Sequence, residues 1–154
     1  MWRGSAGLGL CDRGPALIAY VDTSALVKLL VDEQGTTETQ AALSYATVVA
    51  TSEISYVEGR AAIARMRAGG RIGASASRSA RRLLDEIWLD LLAVPADDEL
   101  LAAAAELADE HSLRGYDSVQ LAAATSLRAA DDVTFACWDA ELRAAAENVG
   151  LTVS

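Results

Sequence analysis

The sequence predicts an α/β protein in which helices pack against a mostly parallel central sheet. Short apolar runs alternate with longer segments of helical periodicity, and strands separated by helices are connected by right-handed crossovers in a parallel sheet. The 154 residues are 52% hydrophobic but only 5% aromatic. That composition favours helices on a sheet over a β-sandwich, whose strands are richer in aromatic and β-branched residues. A chain of this length is most simply one domain.

Five short apolar runs predict the strands. Each run is too short for a typical helix and is bounded by turn residues or by the start of a helical pattern. The predicted strands are Leu17–Val21, Thr47–Thr51, Leu91–Val94, Val133–Ala136 and Leu151–Val153.

Seven segments with helical patterns fill the gaps between these strands. The glycine-rich stretch 69–73 predicts the turn between two long helices, which would form a helical hairpin. The predicted helices are Ser24–Val31, Thr36–Tyr45, Ser55–Ala68, Ser75–Leu89, Asp98–His111, Asp117–Ala129 and Ala140–Asn148.

Residues 1–16 are predicted to be a leader that is flexible or not native, so the single domain is expected to occupy residues 17–154. The leader has small residues and Arg3 but no sustained apolar run, which argues against a signal peptide. No apolar run in the chain approaches the roughly 18 residues of a membrane span. Cys11 and Cys137 lack metal-ligand spacing and are expected to be reduced. We therefore expect a cytoplasmic protein without membrane contact.

The charge is unevenly distributed. The net charge is −9, which argues against nucleic acid as a partner for the protein as a whole. The segment 59–84, however, contains seven arginines and no acidic residue. Such a run is typical of a solvated helical hairpin surface, and it is also able to contact phosphates locally.

Four acidic residues occupy similar positions relative to the predicted strands and helices. Asp22 ends the first strand, Asp139 follows the fourth, Glu58 lies early in the helix after the second strand, and Asp117 opens a helix. The ends of strands one, two and four lie on one edge of a doubly wound sheet, where ligands bind in such folds. We expect these carboxylates to converge there.

Converging carboxylates raise one another's pKa unless a cation neutralises them. Oxygen ligands favour Mg²⁺ or Mn²⁺ over zinc, and such an ion activates water and polarises a phosphoryl oxygen. Helix capping is the ordinary alternative for each acid: Asp22, Asp117 and Asp139 as N-caps, and Ser55 with Glu58 as a capping box. Capping alone does not explain why all three caps are acids, so the pattern favours a metal site for phosphodiester hydrolysis.

The segments around these acids resemble the PIN-domain ribonucleases, and among them the VapC-like toxins of type II toxin–antitoxin modules. Four motifs occur in the family's order between Ile18 and Val153. They are Tyr20–Leu26, Ser52–Arg65, Leu113–Ser118 with the following Leu121–Ala124, and Phe135–Leu142.

The resemblance implies a three-layer α/β/α sandwich and Mg²⁺-dependent endonucleolytic cleavage of RNA. It also implies a homodimer and a small antitoxin as partner. The family's catalytic metal acids correspond to Asp22, Glu58, Asp117 and Asp139. Ser24 would support metal-bound water, and the arginines expected to contact RNA phosphates are Arg60, Arg65 and Arg67.

One position departs from the family pattern, and two other functions stay open. Cys137 stands two residues before the fourth acid, where family members often have Thr or Ser, and a thiol is a weaker hydrogen-bond partner. An aspartyl-phosphate phosphotransferase or phosphatase would use Asp22 as nucleophile. It would usually have a second acid two residues later, where Ser24 stands. A non-catalytic PIN-like binding module would not need the four acids.

Overall fold

Five parallel strands form the central sheet in a computed structural model, which describes residues 17–128 and 132–154. The predicted leader, including Cys11, lies outside the described residues. The spatial order of the strands is β3-β2-β1-β4-β5. Their bounds are β1 Leu17–Val21, β2 Val48–Ser52, β3 Leu92–Val94, β4 Asp132–Ala136 and β5 Thr152–Val153.

Seven helices connect the strands of the described chain, as the sequence predicts. Element ends differ from the predicted ends by no more than two residues, and the predicted last residue of the sixth helix, Ala129, lies outside the described residues. The helices are α1 Thr23–Leu30, α2 Thr36–Leu43, α3 Ile54–Ala68, α4 Ala74–Trp88, α5 Asp98–His111, α6 Gly115–Leu127 and α7 Ala140–Asn148.

One face of the sheet packs against α5, α6 and α7. Alternate residues of a strand point to the same face, so Ile18 and Tyr20 of β1 face this layer. The rings of Tyr20 and Phe135 stack with their centroids 5.5 Å apart. Short side chains in the segment 122–124 of α6 are buried against the strands, which lets the helix approach the sheet closely.

The opposite face packs against α1 and α2, with the α3–α4 hairpin next to α1. Val21 and Val49 face this side and belong to one buried cluster with Ala25 of α1. Leu26 of α1 belongs to a second cluster with residues of α3 and α4, among them Ile63. The arrangement confirms the predicted three-layer α/β/α sandwich.

The strand order places three strand ends side by side. β1 pairs with β2 on one side and with β4 on the other, and all pairings are parallel. The carboxyl ends of β2, β1 and β4 are therefore neighbours on one edge of the sheet. No helix within residues 17–128 and 132–154 combines the length and apolarity that crossing a membrane requires.

Candidate active site

Asp22 is held at the carboxyl end of β1, at the boundary with α1. Its backbone N–H donates to the carbonyl of Ala136 in β4, at 3.2 Å. One side-chain oxygen, Oδ1, accepts from the N–H of Ala25 at 2.9 Å and from the hydroxyl of Ser24 at 2.8 Å. Asp22 thus caps α1, as the alternative interpretation predicts, while being only 4% exposed. Burial raises the pKa of this carboxyl above its usual range.

Cys137 joins Asp22 to the loop that precedes Asp139. Its thiol Sγ donates to Asp22 Oδ2 at 3.4 Å and accepts from the backbone N–H of Asp139 at 3.3 Å. Burial raises the pKa of the Cys137 thiol, and the nearby Asp22 raises it further. The thiol that departs from the family pattern is therefore protonated near neutral pH and acts as a donor to Asp22.

Asp139 caps α7 and stands beside a fixed aromatic side chain. Its Oδ1 accepts from two backbone N–H groups of the first turn, each at 3.0 Å. The preceding Trp138 donates its backbone N–H to Ser24 Oγ and its indole N–H to Thr39 Oγ1. Gly35 has φ +95°, and a Cβ there would lie 2.6 Å from the indole ring. These contacts fix the backbone immediately before Asp139.

Glu58 is anchored by a buried amide and a hydroxyl. Its Oε2 accepts from Thr23 Oγ1 at 2.5 Å and from Gln120 Nε2 at 2.9 Å. Gln120 Nε2 also lies 2.9 Å from Ser55 Oγ, and Gln120 Oε1 accepts from the hydroxyl of Tyr20 at 2.7 Å. Four different elements (β1, α1, α3 and α6) therefore contribute to the position of this carboxylate.

Asp117 lies within the electrostatic influence of two of the other acids. Burial raises the pKa of its carboxyl, Asp139 and Glu58 raise it further, and Arg114 lowers it. Such an effect on the Asp117 carboxyl requires that Asp139 and Glu58 lie near it. No hydrogen bond to the Asp117 side chain occurs within residues 17–128 and 132–154, so its oxygens are not engaged by the protein there.

Two of the predicted helix caps are wrong. α3 begins at Ile54, and Ser55 lies inside the helix with its hydroxyl directed to Thr51 and Gln120, so no capping box joins it to Glu58. α6 begins at Gly115, which places Asp117 in the first turn rather than at the cap. An acid in the first turn is still favoured by the helix dipole, which explains why the sequence signal resembles a cap.

Gln120 and Thr23, which both donate to Glu58, are residues of this site that the sequence analysis missed. Gln120 is the more informative of the two. It is 2% exposed and lies in the middle of the buried face of α6. A long polar side chain on such a face needs hydrogen-bond partners. A glutamine on an otherwise apolar helix face therefore indicates a buried hydrogen-bonded amide, although the sequence does not reveal which groups this amide contacts.

Replacing Gln120 by Ala is expected to destabilise the fold. The buried hydroxyl of Tyr20 would lose its acceptor, which costs about 1–3 kcal/mol of unfolding free energy. Urea unfolding measures the loss, and Ser126→Ala, at an exposed position of the same helix, is the matched control. Tyr20→Phe in the Gln120→Ala background should recover part of the loss. Equal urea midpoints of unfolding for Gln120→Ala and Ser126→Ala would refute the stabilising role of the Gln120 amide.

The three arginines predicted to contact RNA do not share one surface. Arg60 forms an ion pair with Asp85 at 3.2 Å, and Arg60 and Arg67 line the same open pocket between α3 and α4. Arg65 lines a different pocket, which includes Glu33. The structure therefore divides this predicted set into two groups.

The donor chemistry of the four acids fits a hard divalent cation, but the side chains as placed do not enclose one. Within the described part of the chain, no group of three His, Cys, Asp or Glu side chains is arranged to hold a metal ion. Glu58 is turned towards Thr23 and Gln120 instead. Binding of one cation by several of these acids would therefore require some of their side chains to rotate. The carboxylate oxygens of Asp117, which accept no hydrogen bond within the described residues, are free to do so.

The fold and these acids define an α/β protein with an acidic site at the carboxyl edge of a parallel sheet. The chain belongs to the PIN domain family, which it matches over residues 19–147. It is 31% identical over 137 residues to Ribonuclease VapC45 of Mycobacterium tuberculosis, an alignment that covers 89% of this chain and 94% of that protein. The predicted resemblance to VapC-like proteins is confirmed.

Solved structures show the same fold at lower identity. Mycobacterium tuberculosis VapC20, described as a sarcin-ricin loop cleaving toxin, has a TM-score of 0.63 at 17% identity, covering 87% of this chain and 96% of that one. VapBC2 from Rickettsia felis, bound to a DNA fragment from their promoter, has a TM-score of 0.62 at 13% identity, covering 89% and 97%.

Proposed function

We propose that this chain is a metal-dependent endoribonuclease and the toxin of a toxin–antitoxin pair. The observation that carries the proposal is the linkage of three acids at the neighbouring strand ends: Cys137 contacts both Asp22 and the backbone of Asp139, and Thr23, next to Asp22, donates to Glu58. Two of these acids, Glu58 and Asp139, raise the pKa of a fourth, Asp117. A protein gains no stability from unneutralised carboxylates near one another, so their grouping favours a role in binding a cation.

Asp22 and Asp117 are the proposed principal metal ligands, with Glu58 and Asp139 completing the acidic cluster. The ligand set consists of carboxylate oxygens, which suits Mg²⁺ and also Mn²⁺. When bound, the ion supplies Lewis-acid polarisation of the phosphodiester and a lowered pKa of water. The raised pKa of Asp22 and Asp117 means that a cation would stabilise the charged forms that burial disfavours.

The surrounding side chains have positioning roles in this proposal. Ser24 and Cys137 hold the two oxygens of Asp22. Thr23 and Gln120 hold Oε2 of Glu58 and leave its second oxygen available for the water that attacks the phosphorus. Rigid placement of such groups contributes to the rate because little reorganisation is needed during the reaction.

The relatives support RNA as substrate and a second protein as partner. VapC45 is named a ribonuclease, and VapC20 is described as a toxin that cleaves the sarcin-ricin loop. The VapBC2 structure supports a small antitoxin as partner of this chain. A homodimer and a cytoplasmic location remain part of the proposal.

Chelation tests the proposed activity. The purified full chain, incubated with total RNA and Mg²⁺ or Mn²⁺, is expected to produce discrete internal cleavages that EDTA abolishes and excess Mg²⁺ restores. The site relies on oxygen ligands that need a cation, so metal-free protein should be inactive. Cleavage that persists unchanged in EDTA would contradict the proposal.

A further inference from the structure

The α3–α4 hairpin contains an open groove lined by arginines on both helices. Two adjoining pockets of about 380 and 400 Å³ share Arg60 and Arg81 in their walls. We call this groove the arginine trough. Its charged lining consists of Arg60, Arg67, Arg78, Arg81, Arg82 and Asp85.

The trough carries an excess of positive charge that the protein does not neutralise. Asp85 is its only carboxylate within the described residues, and it pairs with Arg60 at 3.2 Å. Arg67 and Arg78 are exposed, and neither forms an ion pair within residues 17–128 and 132–154. Unpaired guanidinium groups lining an open groove are suited to bind anions, phosphates above all.

The trough lies on the side of α3 that faces away from the acidic site. At 3.6 residues per turn, Arg60 and Arg67 stand about 180–200° around the helix from Glu58. Arg65 stands within about 20° of Glu58 and lines a different pocket, which includes Glu33. A ligand in the trough therefore does not occupy the position of the scissile phosphate.

We propose that the arginine trough binds the phosphate backbone of single-stranded RNA several nucleotides away from the cleavage site. The inference rests on the proposed ribonuclease function and adds a second contact region to it. Arg60 and Arg67 are separated by about 10 Å along α3, which corresponds to about three nucleotides of a stacked strand.

The overall charge of the chain explains why such a region is needed. The net charge is −9, and the acids of the proposed site repel RNA until a cation neutralises them. The segment 59–84, with seven arginines and no acid, offsets that repulsion locally. Several guanidinium groups along one open groove match a repeating phosphate backbone, which favours RNA over an acidic protein segment.

The test measures binding rather than cleavage, using the full chain with Asp117→Asn and an oligouridylate of about 30 nucleotides. The affinity is determined over a range of salt concentrations. Arg67→Ala with Arg78→Ala should make the negative slope of log K against log salt shallower by about 1.4, because each phosphate contact in a single strand contributes about −0.7. Arg67→Lys with Arg78→Lys should keep the slope, since the charges remain.

The matched control is Arg71→Ala with Arg128→Ala, which removes two positive charges from exposed positions outside the trough. That pair should leave the slope unchanged. An equal loss of steepness in both double variants would indicate a general charge effect and overturn the proposal. An unchanged slope in the Arg67→Ala with Arg78→Ala variant would overturn it too. The readout is independent of catalysis. A chain that binds RNA through the trough but never cleaves it would refute only the proposed ribonuclease function.

Discussion

Replacing Asp117 with Asn is expected to lower Mg²⁺-dependent RNA cleavage by about 10³-fold or more. Loss of a principal metal ligand removes several kcal/mol of transition-state stabilisation, and each 1.36 kcal/mol corresponds to a factor of ten in rate. Asp117 has the least committed oxygens of the four acids, so its removal disturbs the fold little. The measurement is the single-turnover cleavage rate of the purified variant at saturating Mg²⁺.

The control for Asp117 is Asp109→Asn, which removes an equal charge from an exposed position of α5. This variant should cleave RNA at the wild-type rate. Asp22→Asn should lose activity as Asp117→Asn does, because the asparagine keeps the cap of α1 but not the charged ligand. Wild-type rates in both Asp22→Asn and Asp117→Asn would remove the acidic cluster from the mechanism.

Replacing Phe135 with Ala is expected to lower the free energy of unfolding by about 3–5 kcal/mol. Phe135 is fully buried in β4 and stacks on Tyr20, whose hydroxyl donates to Gln120 and thereby supports Glu58. In a domain of this size, such a loss lowers the melting temperature by roughly 10 °C. Calorimetry or urea unfolding measures the effect.

Leu92→Ala serves as the control for Phe135, because Leu92 is 45% exposed in β3 at the edge of the sheet. Its truncation should cost less than about 1 kcal/mol. Equal losses in the two variants would mean that the layer between the sheet and α5–α7 is not the main core of the molecule.

Most of the fold was predictable because the strands are short apolar runs between helical patterns. Leu17–Val21 and Ala140–Asn148 have the predicted bounds. The starts of α3 and α6 were predicted too late, since Ser55 and Asp117 are residues favoured at helix caps. In the structure the hydroxyl of Ser55 contacts Gln120, a residue distant in sequence, and local propensity contains no information about such contacts.

The acidic residues of the candidate site could be predicted from the sequence, but the side chains that hydrogen-bond to them could not. Asp22 and Asp139 follow strands whose ends are neighbours, which the order of elements implies. The bond from Cys137 to Asp22 joins residues 115 positions apart, and the contacts of Gln120 span 62 to 100 positions. Pairings of this kind depend on the register of β1 against β4 and on the depth at which α6 packs, neither of which appears in a local pattern.

Titration of the metal-free protein with Mn²⁺, followed by electron paramagnetic resonance, measures most directly whether the acids at the sheet edge share a cation. We expect saturable binding by the wild-type chain and by Asp109→Asn, competition by Mg²⁺, and a large loss of affinity in Asp22→Asn and Asp117→Asn. Unaltered Mn²⁺ affinity in the Asp117→Asn protein, or no saturable binding by the wild type, would contradict the account.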